Sequence, residues 1–127
     1  MKKGKVLIAE GSTFMRIMLT TALENLDFEV VGAAKNGEEA VDKYMELKPD
    51  IVLVDPALEG MDGIEVTRTI VNENPSAAVI MLIAEATDIP AIIVEAVRAG
   101  ASGYMRKPLS SEEIEKSIES ALKGRGR

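Results

Sequence analysis

Ile51-Val52-Leu53-Val54-Asp55 decides how the rest of the chain is read. Four apolar residues in a row suit a strand covered on both faces, as in a parallel sheet flanked by helices. An acid closing such a run is costly unless it is solvated or has a task. Two further runs end in the same way: Val6-Leu7-Ile8-Ala9 at Glu10, and Tyr104-Met105-Arg106 at Lys107-Pro108. If these strands are parallel neighbours, two carboxylates and one ammonium meet at one edge of the sheet. Such a set suits a phosphoryl group or a cation.

Working outward, strand-like runs alternate with segments of helical period, the pattern of βα units. Strands are expected near 5–9, 28–33, 51–55, 78–83 and 102–106. After Ser12-Thr13, which can cap, Phe14, Met15, Met18, Leu19, Ala22, Leu23 and Leu26 recur at helical spacing. Asn36 opens a second helix that runs towards Leu47 and is stopped by Pro49. Asp62-Gly63 leads into a third, ending near Asn74-Pro75. Thr87-Asp88 and Pro90 start a fourth, closed by Gly100. Ser110 and Glu113 form a capping-box pattern for the fifth, which ends at Gly124. The expected architecture is α/β: a doubly wound, five-stranded parallel sheet with five helices, as one domain over 1–127.

Composition narrows the chemistry. The 127 residues, 46% hydrophobic, are enough for one compact core. The chain has no cysteine and no histidine, which removes disulfides, thiol nucleophiles and His-based triads from consideration. A net charge of −6 argues against a nucleic-acid surface. The basic tail Lys123-Gly124-Arg125-Gly126-Arg127 reads as a solvated terminus. The longest apolar runs are strand-sized, so membrane insertion is not expected. The Met-Lys-Lys start lacks an apolar signal region, and a cytoplasmic location is expected.

The chain resembles the receiver domains of two-component response regulators from about Lys5 to Lys123. The resemblance is carried by Lys5-Val6-Leu7-Ile8-Ala9-Glu10, Pro49-Asp50-Ile51-Val52-Leu53-Val54-Asp55, Gly60-Met61-Asp62-Gly63, Ala99-Gly100-Ala101 and Lys107-Pro108. Phe14-Met15-Arg16 and Asn36-Gly37-Glu38-Glu39-Ala40-Val41 are similar to the CheY-like branch. The resemblance supplies the strand order 2-1-3-4-5 of flavodoxin- and CheY-like folds, which spacing alone does not give. It implies that Asp55 is the phosphoacceptor, loaded by a histidine kinase or phosphotransfer protein. It also implies that Mg²⁺ is held by Glu10, Asp55 and the backbone carbonyl of Ala57, and that Lys107 contacts the phosphoryl oxygens. The peptide before Pro108 is cis in typical receivers. A downstream protein is expected on the face made by the fourth helix, fifth strand and fifth helix, where Tyr104 lies with Ile92, Ile93 and Ala96 nearby.

The chain departs from that pattern at several positions. Gly11 stands where a second acid usually binds Mg²⁺, and fewer anionic ligands weaken a cation site. Glu59 or Glu85 is available to lean in, although a solvated loop acid is the favoured reading of each. Ile83 stands where a Ser or Thr normally turns to the phosphoryl oxygen and starts the switch, in which Tyr104 follows inward. Pro56 removes a backbone donor beside Asp55. An aspartyl phosphatase of the dehalogenase type needs an acid two residues after the nucleophile, and Ala57 stands there; no enzyme activity is expected. Two readings stay open: a phosphoacceptor with weakened Mg²⁺ binding and switching, and a degenerate receiver serving as a phosphate-independent protein-interaction module.

Overall fold

The computed structural model describes residues 2–84, 88–107 and 109–124. Glu85, Thr87, Pro108 and Arg125–Arg127, about which the sequence raised expectations, lie outside the described residues. The chain alternates β1 (Lys5–Ala9), α1 (Thr13–Asn25), β2 (Glu29–Ala34), α2 (Gly37–Leu47), β3 (Ile51–Val54), α3 (Gly63–Glu73), β4 (Ala78–Ile83), α4 (Ile89–Ala99), β5 (Gly103–Arg106) and α5 (Ser111–Gly124). All pairings are parallel, in the order β2-β1-β3-β4-β5.

The sheet's three inner strands explain the apolar runs. Val6–Ala9 and every residue of β3 and β4 are buried. Alternate side chains feed two cores. Leu7, Val52, Val54, Val79, Met81 and Ile83 pack beneath α2, α3 and α4. Val6, Ile8, Leu53, Ile80 and Leu82 pack against α1 and α5. Burying one such side chain is worth about 1.5–3 kcal/mol, so runs of four to six fix these strands at the centre. The edge strands differ, and so did their expected limits. β2 starts one residue late because Phe28 is spent in the α1/α5 core. β5 begins at Gly103, and only Met105 within it is buried.

The helix starts follow the expected caps. Ser12 Oγ accepts from Met15 N–H, Asn36 Oδ1 from Glu39 N–H, Asp62 Oδ1 from Glu65 N–H, Asp88 Oδ1 from Ala91 N–H, and Ser110 Oγ from Glu113 N–H. Gly100 closes α4 at φ +100°, a conformation glycine tolerates best.

The apolar stripe of α1 is not all core. Leu19 and Leu23 are buried, while Phe14 is 71% exposed and Met18 45%. On α4 the sequence left open which residues point outward. Ala96 is buried and Ile92 and Ile93 pack against the α2/α3/α4 core, leaving Val94 and Val97 exposed.

Candidate functional site

β1 and β3 are adjacent, so Glu10 and Asp55 emerge side by side at the carboxyl ends of their strands. This is the switch point of the strand order, where doubly wound sheets place ligands. Main-chain bonds carry the ladder to the site: Glu10 N–H donates to Ala34 O at 3.0 Å, and Asp55 N–H to Ala9 O at 2.9 Å. Lys107, just beyond β5, is anchored by its own N–H to Ile83 O at 2.9 Å. Its ammonium spans the edge and donates to Glu10 Oε1 at 2.6 Å and Asp55 Oδ2 at 2.9 Å.

The two remaining carboxylate oxygens are also held. Ser12 N–H donates to Glu10 Oε2 at 3.1 Å, and Ala57 N–H to Asp55 Oδ1 at 2.8 Å. Arg16 secures the β1–α1 turn by donating to the Glu10 carbonyl at 2.7 Å. Every carboxylate oxygen therefore has one donor and keeps lone-pair capacity for another. Glu10 is only 3% exposed, so its orientation is fixed more firmly than a surface acid's.

The electrostatics of Lys107 set two effects against each other. Burial works to lower its pKa, while the hydrogen bonds and charges of Glu10 and Asp55 raise it and prevail. The ammonium stays charged, and one positive group facing two carboxylates leaves the edge with a residual negative charge. Glu10, Gly11, Ser12, Lys35, Asn36, Asp55, Ala57 and Glu59 line an open cleft of about 400 Å³. Its donors, two carboxylates beside the peptide of Ala57, are all oxygen and fit a hard divalent cation. Among the described residues no three carboxylates converge as a metal cage. Glu59 borders this cleft as an exposed residue, and its carbonyl accepts from Gly37 N–H at 3.2 Å.

The structure thus brings Glu10, Asp55 and Lys107 together with Ala57 and Gly11. Among the described residues the side chains of Ile83 and Tyr104, the expected switch positions, are not polar partners of this set, although the Ile83 carbonyl accepts from Lys107 N–H. Ile83 is wholly buried in the α2/α3/α4 core, and Tyr104 is 44% exposed on β5. Sequence reading missed a second feature. An apolar groove formed by Phe14, Met15, Met18, Leu109 and Ile114 reaches Lys107 itself. The signal was present in α1, whose apolar stripe is wider than the α5 and sheet surface available to cover it.

An α/β layer sandwich with a lysine-bridged carboxylate pair at its switch point defines the class, and the comparisons agree. The chain belongs to the response regulator receiver domain family, which it matches over residues 6–119. It is 40% identical over 119 residues to the chemotaxis protein CheY of Listeria monocytogenes, spanning 94% of this chain and 98% of that one. The signal receiver domain of a modulated diguanylate cyclase from Desulfovibrio desulfuricans G20 superposes with a TM-score of 0.85 at 32% identity. That match covers 95% of this chain and 94% of the other. CheY from a Borrelia burgdorferi complex with CheX, BeF3 and Mg²⁺ gives a TM-score of 0.85 at 30% identity, covering 93% and 88%. Phosphorylation of an aspartate by a kinase is general to the family. Among the described residues no helix is long and apolar enough to cross a membrane.

Proposed function

We propose that this chain accepts a phosphoryl group on Asp55 from a histidine kinase or phosphotransfer protein in the cytoplasm, with weakened Mg²⁺ binding and weakened switching. The observation that carries the reading is the Lys107 ammonium held 2.9 Å from Asp55 Oδ2 and 2.6 Å from Glu10 Oε1. In the transfer, a carboxylate oxygen of Asp55 forms the new P–O bond while the P–N bond of the donor phosphohistidine breaks and imidazole leaves. Little covalent work falls to the protein, so positioning and charge stabilisation dominate. Lys107 supplies a fixed positive charge for the phosphoryl oxygens. Ser12 N–H and Ala57 N–H orient the two carboxylates so that neither must be turned during reaction. Mg²⁺ would be held by Glu10, Asp55 and the Ala57 carbonyl, where it offsets the negative charge gathered around phosphorus.

Gly11 contributes no charge, and the cation site is correspondingly weaker than one with a further acid. Ile83 offers no hydroxyl to the phosphoryl group, so phosphate at Asp55 has little differential contact with two states of the β4–α4 region. A ligand without differential affinity shifts no equilibrium. The output face, made by α4, β5 and α5 with Val94, Val97 and Tyr104 exposed, would bind its protein partner nearly alike in both forms. Nucleic acid is an unsuitable partner at a net charge of −6.

The buried Ile83 and the absence of an acid at exposed Gly11 together favour a second reading, a phosphate-independent interaction module in which the Lys107 bridge is a structural ion pair. Incubation with acetyl phosphate and Mg²⁺, followed by intact mass and an Asp55→Asn control, separates the two. The acceptor reading predicts one added phosphoryl group on wild type and none on the variant. Unmodified wild type under conditions that load an ordinary receiver supports the interaction module.

A further inference from the structure

The loop after β3 is tied to the start of α2 by contacts outside the acceptor chemistry. Glu38 Oε2 accepts from Met61 N–H at 2.9 Å, and Gly37 N–H donates to Glu59 O at 3.2 Å. Asn36 and Glu59 complete the junction as an isolated parallel bridge. The approach is closer than side chains would permit. A Cβ on Gly37 would run into the Met61 carbonyl, and a Cβ on Gly60, at φ +71°, would run into the Glu38 carboxylate.

Capping does not explain Glu38. Asn36 already caps α2, and Glu39 supplies the acceptor that faces Lys35 N–H. The carboxylate of Glu38 reaches instead across 23 residues of sequence to the loop. That loop begins at Asp55 and carries Ala57, whose N–H holds Asp55 Oδ1 and which lines the cleft beside Glu10. Loop position and carboxylate orientation are therefore coupled. With Gly11 silent, a larger share of cation affinity depends on where the Ala57 peptide is kept.

We propose that Glu38 is a positioning residue for the cation side of the site: it holds the 57–61 loop so that the Ala57 peptide stays in register with Asp55. The inference rests on the acceptor reading above, and Glu38 itself touches no reacting atom. Its role is carried by an acceptor oxygen, not by its charge, which makes the conservative variant informative.

The test is a MgCl2 titration of wild type, Glu38→Ala and Glu38→Gln, followed by ¹⁵N NMR at the Asp55 and Ala57 amides, with Met61 amide exchange measured in metal-free protein. Glu38→Ala should raise the Mg²⁺ Kd about fivefold, below the roughly tenfold or greater loss usual for a metal ligand's partner because Glu38 is exposed. Met61 exchange should quicken in the same variant. Glu38→Gln keeps the acceptor oxygen and should stay within about twofold of wild type. An alanine variant that melts earlier with unchanged Kd, or a glutamine variant as weak as alanine, would overturn the proposal. The first result would make the contact merely structural, and the second would make it an effect of charge at a distance. Wild type that shows no Mg²⁺ response would contradict the acceptor reading and this proposal with it, whereas a responsive wild type with unchanged Glu38→Ala overturns the positioning role alone.

Discussion

The two halves of one sheet edge are built to different standards. Between β1 and β3, Glu10 and Asp55 have a donor on every carboxylate oxygen, and Lys107 reaches over from β5 to bridge them. At the end of β4, the side chain of Ile83 contributes only to the apolar core, while its carbonyl accepts from Lys107 N–H. Tyr104 stands on the neighbouring edge strand, exposed. Polar contacts organise the first place, and apolar packing fills the second. Under the proposed function, acceptance and relay become separable: the site keeps its charge constellation while the side chain at the end of β4 gives two states no different energies.

The largest expected effect comes from breaking the intact half. Lys107→Met leaves Glu10 and Asp55 facing each other without a cation, and should lower stability by about 3 kcal/mol, as for other partly buried ion pairs that lose one member. Urea denaturation measures it; a loss below 1 kcal/mol would mean the carboxylates find solvent or another partner. Ile83→Thr probes the other half. It removes buried apolar volume and brings in a hydroxyl, at a cost of about 2 kcal/mol in the unphosphorylated protein. In return it should widen the phosphate-dependent change in partner affinity, from under about tenfold, or 1.4 kcal/mol, to above it. An unchanged ratio, measured by titration of a partner with and without beryllofluoride, would show that the lost hydroxyl is not the cause.

A smaller effect sharpens the acceptor half itself. Gly11 has room for a side chain, since an added Cβ meets only the Lys35 carbonyl, at 3.7 Å. Gly11→Asp should tighten Mg²⁺ by about tenfold. In metal-free protein it should lower the melting temperature, because a third carboxylate joins two that share one ammonium. Equal Mg²⁺ affinity before and after would point to another group, such as Glu59, already completing the site.

The smallest effect is on pH dependence. Lys107 has its pKa raised above the ordinary 10.5, so the bridge's contribution is fully present below that value and is lost as pH rises through the raised one. The stability difference between wild type and Lys107→Met should stay flat from about pH 7 to 10 and shrink only above it.

The acceptor half was the more legible of the two in the sequence, for a physical reason. An apolar run ending in a charge marks a strand that delivers a polar group to a sheet edge, and Glu10 and Asp55 sit at such ends, whereas Lys107 follows a strand in which only Met105 is buried. The strand order was not legible, because helical crossovers of similar length permit several orders; family resemblance supplied it. Exposure on α1 and α4 was not legible, since a 3.6-residue period shows which side chains share a face but not how much of that face is covered. Phe14 and Val97 are apolar and uncovered, while Ile92 and Ile93 turn inward. The Glu38 contact with the acceptor loop left no local pattern, because its partners are 23 residues apart and one of them is a main-chain N–H.

The separation of acceptance from relay is tested most directly at Tyr104. Side-chain NMR of Tyr104 in the presence of Mg²⁺, recorded with and without beryllofluoride, reports both halves at once when the Asp55 and Ala57 amides are followed in the same samples. The account predicts clear shifts at Asp55 and Ala57 while Tyr104 keeps its exposed environment. A Tyr104 ring that moves from exposed to buried as Asp55 is loaded would contradict it, because the switch would then run without the hydroxyl that Ile83 replaces.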